Sequence, residues 1–139
     1  MNDNRPGDPQ PDEQGLGENI LELRQDNILY VTLVGVLDEK IATSIIQALP
    51  GFYNTVPWKV GCLIDFSKSG EISTEAKKLF INLAKDGKIG KVAVIGLGFL
   101  ARAAAWVFIR TLPKKEISIF KTEGEALSWL NKNIYFSPK

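Results

Sequence analysis

The chain has 139 residues, 45% of them hydrophobic and 24% charged, which is enough for one domain with a real core. With 17 Lys and Arg against 16 Asp and Glu the net charge is +1, and nothing in that balance points to the concentrated basic face that nucleic acid requires. Histidine is absent, which removes the commonest general base, the usual partner of a catalytic Ser or Cys and the commonest zinc ligand, so no catalytic site, metal or cofactor is expected.

The opening MNDNRPGDPQPDEQGLGE is polar, acidic and rich in Pro and Gly, without the apolar stretch of a signal peptide. It predicts a disordered tail over residues 1–17 and a single domain over 18–139. Asn19 to Arg24 reads as an edge strand, Gln25 to Asn27 as a turn, and Ile28 to Val36 as a central strand that is apolar on both faces, the two strands forming an antiparallel hairpin. Asp38 stands at an N-cap position. Ile41, Ala42, Ile45, Ile46 and Leu49 recur at helical spacing, and Pro50-Gly51 stops that helix. Phe52 to Trp58 reads as a loop and Lys59 to Phe66 as a buried strand holding the single cysteine, Cys62. This thiol can form no internal disulfide, and it fits a reducing, cytoplasmic setting.

Ser73 caps a third segment whose core face is Ala76, Leu79, Phe80, Leu83 and Ala84, with Gly87 at its end. Lys91 to Ile95 is a strand, and a helix from Phe99 to Leu112 follows, closed by Pro113. Glu116 to Phe120 is the last strand. Thr122 and Glu125 form a T-x-x-E capping box ahead of Ala126, Leu127 and Leu130. Ile134-Tyr135-Phe136 is read as folding back onto the domain. The order β-β-α-β-α-β-α-β-α predicts an α/β domain with a mixed sheet of about five strands, an opening antiparallel hairpin, then parallel crossovers, and about four helices. Val92 to Ile109 carries one charge, Arg102, and is about as long as the shortest spanning helix, but Gly96 and Gly98 interrupt it, so no membrane span is expected.

Four segments carry a family likeness: ILYVTLVGVLDEK, KVGCLIDFS, KVAVIG and EISIFKTEGEALSWLNK. Together they resemble the SpoIIAA-like family of the STAS superfamily (sulfate transporter and anti-sigma-factor antagonist domains), which is grouped with CRAL-TRIO-type lipid-binding folds. The resemblance spans roughly residues 18–133. It implies a non-catalytic protein-interaction module, regulatory in role, whose partner the sequence does not name. In STAS anti-sigma antagonists a Ser in an Asp-Ser-Ser-Gly loop after the third strand is phosphorylated to release a partner. The matching stretch here is Ile72-Ser73-Thr74-Glu75, so Ser73 and Thr74 are the candidate phosphorylation sites, without the Asp and Gly and with Glu75 placed to repel a phosphate.

Three further features invite chemistry. Gly96, Gly98 and Ala101 form a G-x-G-x-x-A turn of the dinucleotide-binding kind, but the next strand ends in Ile119-Phe120-Lys121 rather than an acid, so a tight turn with positive φ is the better reading. Asp65 and Ser67, with Ser69 and Glu71, form a polar loop at a strand end. The helix 99–112 is apolar almost all round, with Arg102, Trp106 and Arg110 on one narrow stripe. Phe99, Arg102, Trp106, Ile109 and Arg110 are the candidate interface or ligand-facing residues, for a homodimer or for an apolar or lipid ligand gated by the helix.

Overall fold

The structure, a computed structural model, describes residues 15–110 and 116–132. Most of the tail (1–14), the helix residues beyond Arg110 with Pro113, and Ile134-Tyr135-Phe136 lie outside the described residues. In chain order the elements are β1 (Ile20–Leu23), β2 (Ile28–Leu37), α1 (Glu39–Ala48), α2 (Pro50–Tyr53), β3 (Val60–Ile72), α3 (Thr74–Ile81) running into a 3-10 turn (Asn82–Lys85), β4 (Ile89–Ile95), α4 (Phe99–Ile109), β5 (Ile117–Ile119) and α5 (Glu123–Leu130). The sheet has five strands in the order β1-β2-β3-β4-β5. The β1–β2 pair is antiparallel and the rest are parallel, so the expected mixed sheet and its strand sequence are both present.

Strands that alternate inward on two faces need cover on both. One face carries Leu29, Val31, Leu33, Cys62, Ile64, Val92, Val94, Ile117 and Ile119, packed with Ala42, Ile45 and Leu49 of α1, with Ala76 and Phe80 of α3, and with Ile109 of α4. The other face, with Ile28, Tyr30, Leu63, Ala93 and Ile95, is covered by Ala126 and Leu130 of α5. The three crossover helices therefore share one side and α5 has the other. Capping follows the sequence: Asp38 Oδ1 accepts from Ile41 N at 2.9 Å, Ser73 Oγ from Ala76 N at 3.1 Å, and Thr122 Oγ1 from Glu125 N at 3.2 Å.

Three local departures have clear causes. Packed chain begins before residue 18, because Leu16 leans on the core and the buried Asn19 ties it down, donating to Leu16 O at 2.7 Å and accepting from Val34 N at 2.6 Å. Pro50 does not end helical structure. Leu49 keeps helical angles (φ −59°, ψ −42°), and Pro50 opens the one-turn α2, where its missing N–H costs nothing. β3 runs on to Ile72 instead of stopping near Phe66, since β2 extends alongside it and the pairing resumes as Val34↔Lys68 and Gly35↔Ser69 after a register irregularity.

That irregularity explains Gly96. β4 ends at Ile95, and the chain turns over the bulge with Gly96 at φ +85°. A Cβ there would overlap the Ser67 backbone nitrogen and lie 2.8 Å from Asp65 Oδ1, whereas Gly98 has open space around it. Gly96→Ala is expected to lower stability by more than about 1 kcal/mol, and Gly98→Ala to stay within about 0.5 kcal/mol. Urea midpoints at constant m-value measure both.

Candidate functional site

The helix α4 begins at the C-terminal end of β4 and returns over the outer part of the sheet. Arg102 N donates to Gly98 O at 2.8 Å in its first turn. Successive residues step about 100° around a helix, so Ile109, Ala105 and Arg102 share one side. That side faces the protein: Ile109 is 6% exposed, and Ala105 and Arg102 are half-buried. The opposite arc carries Leu100, Ala103, Ala104 and Val107, and it is apolar. Leu100 is 81% exposed, Phe99 76% and Val107 65%. A surface helix ordinarily presents charge there, so this is a contiguous apolar patch looking for cover.

The five residues singled out in the sequence separate accordingly. Phe99 and Arg110 are exposed, Trp106 is exposed at 38%, and Arg102 is half-buried with its Nη1 donating to Leu97 O at 3.4 Å. Ile109 is a core residue whose side chain also borders the groove described below. The Arg102–Trp106–Arg110 stripe is a flank of the helix. Leu100 and Val107 hold the outward line, and periodicity could not select them because no arc of this helix is polar enough to mark its outer side.

The flank borders an open groove of about 670 Å³ between the second half of α4, the start of β5 and the last turn of α5. Trp106, Val107, Ile109, Ile117 and Trp129 are among the residues that line it. Trp129 is held from two sides. Lys91, buried on β4, donates from Nζ to Trp129 O at 3.2 Å and sits 4.5 Å from the indole centroid, and Phe120 packs at 5.4 Å between ring centroids.

The other candidates are structural in their contacts. Asp65 and Ser67 lie within β3 at its irregularity, not in a loop after the strand. Asp65 Oδ1 accepts from Ser67 N at 2.8 Å, beneath Gly96, and Ser69 Oγ donates to Phe66 O at 2.8 Å. Burial pushes the Cys62 thiol up to about 12, so it carries no thiolate at neutral pH. Burial, with a hydrogen bond to Asp26, raises the Tyr30 phenol to about 12, and burial, with a hydrogen bond to Asp86, does the same at Tyr53. Among the described residues no cluster of three His, Cys, Asp or Glu side chains is arranged to hold a metal.

The family model for SpoIIAA-like proteins matches residues 28–131. The chain belongs to the SpoIIAA-like family. Among solved structures, this SpoIIAA-like chain is similar to an uncharacterised protein with a SpoIIAA-like fold from Shewanella loihica PV-4 at 28% identity and a TM-score of 0.59, covering 81% of this chain and 91% of that one. The unphosphorylated anti-sigma factor antagonist SpoIIAA matches with a TM-score of 0.59 at 14% identity over 83% of this chain and 99% of that one. A putative anti-sigma factor antagonist from Thermotoga maritima matches with a TM-score of 0.61 at 13% identity over 84% and 97%. At 14% and 13% identity the last two likenesses speak for the fold. A search of curated proteins finds no significant match.

In this SpoIIAA-like fold Ser73 and Thr74 stand where β3 passes into α3. The Ser73 hydroxyl is engaged as the N-cap of α3, and Thr74 is exposed in the first turn beside Glu75. Ser73→Ala should cost about 1 kcal/mol and Ser73→Asp much less, because a carboxylate can replace the capping oxygen. Urea titration of the two variants measures the difference.

Proposed function

We propose that this chain is a non-catalytic, regulatory protein-interaction module of the SpoIIAA-like type that works as a homodimer through α4. The observation that carries the reading is the exposed apolar arc of α4, Phe99, Leu100, Ala103, Ala104 and Val107, which the sheet leaves uncovered. Its alanines let another helix come close, and Phe99 and Leu100 are large enough to anchor a contact. The family fold supports an interaction role, since one structural neighbour is an anti-sigma factor antagonist. The side chains gathered at β3 and β4 support no nucleophile with a base, which favours binding over turnover. The reading includes a cytoplasmic setting, which the lone, buried and unpaired Cys62 thiol supports. No helix among the described residues is long and apolar enough to cross a membrane. On this reading Ser73 and Thr74 are sites where a phosphate, set at the α3 N-terminus, would modulate partner release.

The groove beside Trp106 and Trp129 favours a second reading, a carrier of an apolar or lipid ligand with α4 as its gate. Sedimentation velocity and native mass separate the two. The wild type is expected to sediment as a dimer of bare chain mass. Leu100→Glu with Val107→Glu should give a monomer, with stability changed by less than about 1 kcal/mol because both side chains are already in water. A monomeric wild type ends the homodimer reading, and a monomer that retains several hundred daltons of extractable lipid establishes the carrier.

A further inference from the structure

β3 outlasts β4. The β3–β4 ladder ends at Asp65↔Ile95, while β3 stays paired with β2 as far as Leu37↔Ile72. Among the described residues, 66–72 therefore have a strand on one side and none on the other. Ser67, Lys68, Gly70 and Glu71 are exposed, and Val36, beside Gly70 on β2, is 67% exposed. An open strand edge offers a row of main-chain N–H and C=O groups on which a strand of another chain can pair.

This edge is altered where it opens. From Thr32↔Asp65 to Val34↔Lys68, β3 advances three residues while β2 advances two, and the same happens from Gly35↔Ser69 to Leu37↔Ile72. Such bulges twist an edge out of the line that a partner strand needs. At the first of them, two main-chain groups are taken by the chain's own side chains. Ser67 N donates to Asp65 Oδ1 at 2.8 Å, and Phe66 O accepts from Ser69 Oγ at 2.8 Å. The Ser67 nitrogen lies on the side that β4 has left, because Gly96, the first residue after β4, comes against it and against Asp65 Oδ1. Asp65 thus stands where the carbonyl of a continuing strand would stand. An incoming strand would exchange this bond for one to a neutral carbonyl, and bonds to a carboxylate are roughly twice as strong.

We propose that the Asp65 and Ser69 side chains guard this edge and keep β3 from taking a strand of a second copy of the chain. The segment that would pair is the same one in the other copy. Two antiparallel copies, with a two-fold axis between Ser69 and Gly70, would set Lys68 opposite Glu71 of the second copy. Charge does not keep them apart, so the bonds at the bulge must. The guard concerns β3 alone and holds whether or not α4 makes a contact.

Sedimentation velocity of the full-length chain in a Leu100→Glu, Val107→Glu background tests this without interference from α4. Adding Asp65→Ala with Ser69→Ala is expected to roughly double the mass as concentration rises. Hydrogen exchange should then slow in peptides covering 66–72 and not in those covering 99–107. Asp65→Asn with Ser69→Thr keeps an acceptor and a donor in place and should sediment like the background. Ser73→Ala, which weakens the fold at the α3 cap, should do the same. An unchanged mass in the alanine variant overturns the proposal. So does equal association of Ser73→Ala, which would trace the effect to lost stability, and so does association that protects other segments instead. Ser69→Ala alone leaves the Asp65 bond intact and gives the answer if the double variant does not fold: a smaller gain in mass supports the guard, and no gain contradicts it.

Discussion

The fold depends on how few contacts fix α4 to the sheet. Among its described side chains Ile109 is the one that is fully buried, reaching the same core as Val92, Val94, Ile117 and Ile119. Ala105 is half-buried and small. Beneath them the sheet narrows to β5, three residues long, paired with β4 through Val92↔Ile117, Ala93↔Ser118 and Val94↔Ile119. A helix of eleven residues laid over so short an edge strand has more apolar surface than the sheet can cover.

The other crossover helices show the contrast. α1 and α3 lie over the long central strands and pack on one another. α1 buries Ala42 and Ile45, and α3 buries Ala76 and Phe80, whose ring meets Phe66 edge-on at 6.0 Å. Their outward positions are polar or charged, as with Glu39, Lys40, Lys77 and Lys78. α4 has the same connection but an outward line of Leu100, Ala103, Ala104 and Val107. The core leaves this line in solvent, with Leu100 81% and Val107 65% exposed, and the proposed contact through α4 would cover it.

Much of the architecture was legible because each strand–helix unit carries its own punctuation. Asp38, Ser73 and Thr122 are short side chains that satisfy the first free N–H groups of a helix, and each does so here. What escaped the sequence has identifiable physical causes. The second half of β3, Ser67 to Glu71, is polar because β4 has ended and the ladder with β2 alone keeps it extended. Pro50 was ambiguous because a proline that ends one helix equally well begins the next. On α4 the periodic signal that separates inside from outside was missing, so Ile109 could not be told from Leu100 or Val107 without the sheet beneath them. The turn glycines looked alike in sequence, yet only contact with Ser67 and Asp65 shows that Gly96 is under constraint and Gly98 is not.

The most direct test of α4 as the contact surface is a hydrogen–deuterium exchange footprint of the full-length protein at low and high concentration. Peptides covering 99–107 are expected to gain protection as concentration rises, while those covering α1 and α3 do not change. Protection that appears on α1, α3 or the β1 edge and leaves 99–107 unaltered would contradict the account.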